Sequence, residues 1–163
     1  MATNIDVHFS SADPTWETPA DLFAVLDREF FFELDVCAQP TTAKCGHYFT
    51  PEIDGLAQVW QGVCFMNPPY GRQIGHWMQK AYESAAGGLA TVVCLVPART
   101  DTRWWWDYTQ HGEVRFLPGR LKFGNAEHSA PFPSAVVIFH AGLPELGRAW
   151  HWDWRASGAG KKA

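Results

Sequence analysis

Val63-Cys64-Phe65-Met66-Asn67-Pro68-Pro69-Tyr70-Gly71 is the stretch on which the fold turns. Its first four residues are a short apolar run, which reads as a buried strand. The two prolines then fix φ at successive positions and remove two N–H donors. The chain beyond the strand is therefore a rigid loop with outward-pointing carbonyls. Asn67 adds a side-chain amide and Tyr70 an aromatic face at the strand's C-terminal end. In open α/β sheets that end is where ligands bind.

The neighbouring segments fit around this strand. Upstream, Thr18-Pro19 predicts a helix start, with Thr18 as N-cap and Pro19 at the first helical position. Leu22, Phe23, Val25, Leu26 and Phe30 give that helix an apolar face, Phe31 to Val36 predicts the first buried strand, and His47 to Phe49 a short one. Downstream, Ile74, Trp77, Met78, Ala81, Tyr82 and Ala85 recur at helical spacing and predict a helix over 73–86, stopped by Gly87-Gly88. Thr91 to Val96 is continuously apolar, as a strand covered on both faces is. Asp101 is the expected cap of a helix through Trp104-Trp105-Trp106, whose three rings cannot all point one way. Val114 to Leu117 and Arg120 to Phe123 flank Pro118-Gly119 and predict a hairpin, and Ala135 to Phe139 the last buried strand. Alternating helices and apolar strands imply an α/β fold with a mostly parallel sheet flanked by helices. The hairpin implies an antiparallel strand near one edge.

With 163 residues the chain is long enough for one domain with a real core, and its apolar content of 47% sets it apart from disordered chains. Residues 1–15 are expected to form a flexible N-terminal arm, 16–141 the catalytic domain, and 142–163 a tail, aromatic at first and then Gly/Ser/Lys-rich. No stretch approaches the ~20 apolar residues of a membrane span. The first ten residues lack the basic and apolar regions of a signal peptide, so a cytoplasmic location is expected. The net charge of −4 argues against a dedicated nucleic-acid binder, but a local basic face remains open to Arg99, Arg103, Arg115, Arg120 and Lys122. Cys37, Cys45 and His47 match no common zinc spacing and no fourth ligand is evident, so no metal site is expected.

The Asn67 loop suits one chemical problem. An exocyclic amine such as that of adenine is a poor nucleophile, because its lone pair is delocalised into the ring. The amide oxygen of Asn67 and the carbonyl of Pro68 could accept both amine hydrogens and direct the lone pair outward, with Tyr70 stacked on the base. A base in a duplex must first leave the helix for such contact. Asp35 ends an apolar strand, where an unpaired carboxylate is costly to bury, so it faces either a ligand or backbone N–H groups. Asp54-Gly55 is by itself a turn signal.

Taken together, Trp16-Glu17-Thr18-Pro19, Leu34-Asp35-Val36-Cys37-Ala38, Asp54-Gly55-Leu56 with Trp60, Asn67 to Gly71, Pro97 to Thr102 and Gly119-Arg120-Leu121 resemble the phage-type DNA N6-adenine methyltransferases. The likeness runs from about residue 9 to 140. It implies a class I, Rossmann-like methyltransferase fold and S-adenosylmethionine as cofactor. It implies that Glu17, Thr18 and Pro19 touch the methionine end of the cofactor, that Asp35, Cys37 and Ala38 form the cofactor loop, and that Asp54 and Leu56 hold its adenine. Asn67, Pro68, Pro69 and Tyr70 are the implied catalytic loop, Asn67 also lying against the cofactor, and Tyr70, Arg99, Arg103 and Arg120 are the implied DNA contacts. It further implies a phage or prophage protein marking DNA against restriction in a bacterial host. Two departures stand out: Ala38-Gln39-Pro40 replaces the usual Gly-x-Gly, and no acid ends a second strand to take the ribose hydroxyls, for which Glu52 is a candidate. The same loop chemistry also serves RNA bases and protein glutamines, and a silent nucleic-acid-binding module could keep the fold.

Overall fold

The computed structural model describes residues 16–159, and the N-terminal arm expected over 1–15 lies outside them. Its centre is a seven-stranded sheet in the order β2-β1-β3-β4-β6-β5-β7, built from β1 (Leu34–Asp35), β2 (His47–Tyr48), β3 (Gly62–Met66), β4 (Ala90–Pro97), β5 (Glu113–Phe116), β6 (Ser134–Phe139) and β7 (Arg148–His151). Every strand but β6 runs the same way, and β6 is antiparallel to both its neighbours. The sheet is thus mostly parallel, with its one reversed strand two places in from an edge.

Four helices, α1 (Ala20–Phe30), α2 (Ile74–Ala86), α3 (Arg103–Tyr108) and α4 (Trp154–Ala159), flank it, α1 packing on α4 and α2 on α3. The core sits on β3, β4 and β6, where Phe65, Val93, Leu95, Val137 and Ile138 are fully enclosed. Continuous burial along β4 explains its unbroken apolar sequence.

Strand order reverses direction between β1 and β3. From β1 the chain moves outward to β2, and from β3 it moves the opposite way to β4. The loops leaving the C-terminal ends of β1 and β3 therefore border a switch-point crevice, the standard ligand position in such sheets. Those loops carry Cys37-Ala38 and Asn67 to Tyr70.

Several expectations need correction. Thr18 is not the N-cap of α1, because Pro19 occupies that position and no side chain caps the end. The predicted strand over 31–36 shrinks to Leu34–Asp35, flanked by single backbone bonds from Glu33 to Val63 and from Val36 to Phe65. Phe31 leaves α1 with a left-handed φ of 56°. Phe32 then turns into an aromatic cluster with Phe23, Phe30 and Phe65. Asp101 caps nothing, since Thr102 is the N-cap of α3.

The hairpin over 114–123 does not form. Both edges of β5 are taken, one by β6 and the other by β7, so 120–123 has no strand to join. Instead Leu121 and Phe123 plug into the core, and the Leu121 carbonyl accepts the Ala130 N–H. Residues 142–159 are more than a tail, because they supply β7 and α4. Arg115, counted with the basic face, is buried in an ion network with Glu113 and Glu29.

Candidate active site

Asn67 follows the last residue of β3 and is fully buried. Its Nδ2 donates to the Thr18 hydroxyl at 3.0 Å and points to the Trp16 carbonyl at 3.5 Å. A backbone carbonyl can only accept, so the amide must turn its nitrogen to Trp16 and Thr18 and its oxygen the other way. Thr18, only 2% exposed, has exchanged a helix-capping role for this contact. The Trp16 to Pro19 segment and the Asn67 to Tyr70 loop are therefore joined directly.

Tyr70 is buried. Its hydroxyl donates to the Leu95 carbonyl at 3.1 Å, and its ring meets Phe123 and Phe132 nearly at right angles. Burial drives its phenol pKa well above the usual range. Tyr70 is thus a neutral, fixed wall whose remaining surface faces a cleft.

That cleft has a volume of about 610 Å³ and is bordered by Tyr70, Arg72, Arg99, Arg103, Trp104 and Phe132, among others. The Arg99 guanidinium sits 5.8 Å from the Phe132 ring centroid. Arg103 is highly exposed and pairs with Asp107 one turn on, at 2.9 Å. An exposed pair of this kind holds little energy, so Arg103 can exchange Asp107 for an anionic ligand.

A second cavity, of about 180 Å³, lies on the other side of the loop. Cys37, Ala38, Phe49, Asp54, Leu56 and Pro69 border it, with Gly55, Gln73 and Trp77 behind. The two cavities share no residue. Pro69 faces one and Tyr70 the other, so these two successive residues stand between them, while Asn67 and Pro68 border neither.

Gly55 shapes the smaller cavity. A Cβ there would overlap the Val36 carbonyl oxygen and come within 3.2 Å of the Trp77 ring. The Trp60 indole, stacked on Trp77, donates to the Gly55 carbonyl at 2.8 Å and fixes the approach. Gly55→Ala is expected to cost about 1–3 kcal/mol through overpacking and to weaken any ligand in the slot. Urea denaturation and calorimetric titration check the two effects.

Asp54 has a left-handed φ of 58°, and its Oδ1 accepts the Leu56 N–H at 3.2 Å, placing the carboxylate at the cavity mouth. Asp35 lies behind the cavity, fully buried. Its two oxygens accept the N–H groups of Cys37 at 3.2 Å and Lys44 at 3.0 Å. Burial raises its pKa to about 7, although those two bonds and the Lys44 charge oppose the rise. The Asp35 carboxylate thus braces the loop that presents Cys37 and Ala38. Lys44 Nζ in turn holds Glu17 Oε1 at 2.6 Å, so Glu17 faces Lys44.

Residues 8–139 match the DNA N-6-adenine-methyltransferase (Dam) family. The chain belongs to that family.

A DNA N-6-adenine-methyltransferase of Haemophilus phage HP1 (strain HP1c1) is 33% identical over 154 residues, covering 88% of each chain. YfdM of Escherichia coli (strain K12), named only provisionally as a methyltransferase, is 36% identical over 63 residues, which cover 34% of this chain and 69% of that protein. Family membership sets the reaction as methyl transfer to the N6 amine of adenine in DNA. It also agrees with the α/β, Rossmann-like sheet.

Against this family background the expected site residues fall into groups. Cys37, Ala38, Asp54 and Leu56 gather around the small cavity with Pro69. Arg99 and Arg103 gather with Tyr70 at the large cleft. Arg120 goes elsewhere, to a separate cavity beside the start of α1 with Pro19. Glu52 is exposed and borders neither main cavity, so the ribose assignment has no support.

Arg72, Phe132, Phe49 and Lys44 were missed. Arg72 is legible in the sequence, because it stands two positions after Tyr70. Phe132, in Pro131-Phe132-Pro133, carries no motif signal; only the crossing of the 117–133 segment brings it to Tyr70.

Proposed function

We propose that S-adenosylmethionine is the methyl donor, that its adenine enters the smaller cavity, and that the target adenine enters the larger cleft. One observation carries this reading. Pro69 borders the smaller cavity and Tyr70 the larger, at the switch point of the sheet, and the Asn67 amide beside them is oriented by the Trp16 carbonyl with Thr18 as a second partner.

The residues around the smaller cavity suit an S-adenosyl group. The slot is largely apolar and bare of side chain at Gly55. Leu56 and Phe49 offer apolar contact to a purine, and the second oxygen of Asp54 can accept from its amino group. When bound, the donor supplies a sulfonium-activated methyl group and takes back the C–S electron pair as a thioether.

The remaining work falls to this chain. Asn67 Oδ1 and the Pro68 carbonyl accept the two hydrogens of the target amine and localise its lone pair. The Trp16 carbonyl, which can only accept, keeps the Asn67 amide from turning over, and Thr18 adds a second contact to it. The amine nitrogen gains the methyl group and releases one proton to solvent. Tyr70, Trp104 and Phe132 wall the space for a base taken out of the stack, while Arg72, Arg99 and Arg103 meet the phosphates beside it. Alignment of the reacting atoms supplies much of the rate gain, because it replaces a chance encounter with a fixed one. A phage or prophage origin is proposed on the likeness to the phage HP1 enzyme.

The test is transfer of tritiated methyl from S-adenosylmethionine to unmethylated DNA, followed by nucleoside analysis. Label in N6-methyladenosine is expected. Label only in RNA or protein would overturn the acceptor, and no binding of the donor would overturn the whole reading. Asp54→Ala is expected to weaken donor binding roughly ten- to a hundredfold, the equivalent of a hydrogen bond to a charged group of about 1.5–3 kcal/mol. Unchanged affinity by calorimetry would remove its role.

A further inference from the structure

A third cavity, of about 370 Å³, opens beside the first turn of α1 and belongs to neither chamber of the active site. Arg120, Lys122 and Arg155 border it against a single carboxylate, Asp21. Asp21 is already engaged, its Oδ1 accepting the Leu22 N–H at 2.9 Å. Among the described residues neither Arg120 nor Lys122 forms an ion pair, and both are exposed. Arg155 is held in place, its guanidinium 4.5 Å from the Trp154 ring centroid and its Nη1 donating to the Pro118 carbonyl at 3.4 Å. In a chain of net charge −4, three cations around one hollow are a local excess that an anion would relieve.

The position of the hollow suggests which anion. Pro19, on its wall, follows Thr18, which holds Asn67. Leu121, between Arg120 and Lys122, is buried, and Phe123 packs on Tyr70. The hollow therefore lies at the catalytic end of the sheet. The aromatic group of Tyr70, Phe123 and Phe132 separates it from the cluster of Arg72, Arg99 and Arg103. One cationic cluster would leave a bound duplex free to pivot about it, whereas two separate clusters fix its register. Backbone contacts fix register in this way without reading sequence, and guanidinium groups fit phosphate oxygens in pairs.

We propose that the hollow lined by Arg120, Lys122 and Arg155 is a second anchor for the DNA backbone, binding a phosphodiester away from the target base. The proposal rests on DNA as the substrate. It is tested with the double variant R120A/K122A, using fluorescence anisotropy of a labelled DNA duplex over salt concentrations from about 50 to about 200 mM. Loss of this one phosphate contact should lower the slope of log affinity against log salt by about 0.9 and weaken binding at the lowest salt roughly tenfold. Affinity for S-adenosylmethionine and the unfolding temperature should stay as in the wild type, because both side chains are exposed. If the wild type binds the duplex and the variant matches it in affinity and slope, the anchor is disproved and the substrate reading stands. If the wild type shows no salt-dependent binding of DNA, both fall.

Discussion

Asn67→Ala is expected to lose nearly all methyl transfer while still binding S-adenosylmethionine. Asn67 is the loop's only side chain that offers a hydrogen-bond acceptor where β3 ends, and its amide is oriented by Thr18 and Trp16. Removing one oriented polar contact of this kind costs about 2.7–4 kcal/mol of transition-state stabilisation, or roughly a hundred- to a thousandfold in turnover. Donor binding should persist, because the smaller cavity is built from Leu56, Phe49, Pro69 and their neighbours. Single-turnover methylation and calorimetry separate the two effects, and wild-type turnover in the variant would sink the mechanism. Thr18→Val should lower turnover as well, since the amide loses the nearer of its two partners, and Thr18→Ser should restore it. A valine variant with normal turnover but weakened donor binding would instead make Thr18 a donor contact.

The second large effect concerns stability. Glu113→Ala should destabilise the fold by about 3–5 kcal/mol, as expected when one member of a buried charge network is removed. Glu113 is 1% exposed. Its Oε1 accepts from Arg115 at 2.7 Å and from the Trp150 indole at 3.2 Å, and its Oε2 meets Arg148 at 2.7 Å and His140 Nε2 at 3.0 Å. Arg115 continues the network with two 2.7 Å bonds to Glu29 on α1. One carboxylate thereby ties together β5, β6 and β7, and through Arg115 the first helix. Burial alone would raise its pKa, but the bonds from Arg148, Arg115 and His140 outweigh it and hold the carboxyl at about 2.

A carboxyl depressed in the folded state contributes stability above its unfolded pKa of about 4.3 and loses it as pH falls through the folded value. The wild type should therefore weaken between about pH 4.3 and pH 2, and Glu113→Gln should flatten that part of the profile. Denaturant unfolding at several pH values checks both. A melting temperature within ~2 °C of wild type for Glu113→Ala would disprove the estimate, since this loss should lower it by roughly 10 °C. Glu113 starts β5, at the opposite end of the sheet from the catalytic loop, so the variant should retain activity below its melting point.

The central part of the fold was legible because β3, β4 and β6 are continuous apolar runs and α2 has a clear helical period. What was missed depended on distant partners. Arg120 to Phe123 looks like half of a hairpin until β7 is seen to hold the free edge of β5, and β7 itself is exposed along its length. Its residues Arg148 to His151 give no burial pattern to read. The candidate site divided in the same way. Asn67 to Tyr70 is contiguous, and two prolines announce its shape. Thr18 was assigned to a helix cap because local rules favour that use, whereas its partner lies 49 positions away. Arg120 and Arg99 look alike in sequence, and only the path of the 117–133 segment sends them to different hollows.

The separation of the two cavities at Pro69 and Tyr70 also bears on the order of events in a catalytic cycle. Because the two chambers share no wall residue, on the proposed assignment neither ligand has to pass through the other's berth. Cofactor and DNA can then arrive in either sequence, and spent cofactor can be exchanged while the protein stays on the duplex.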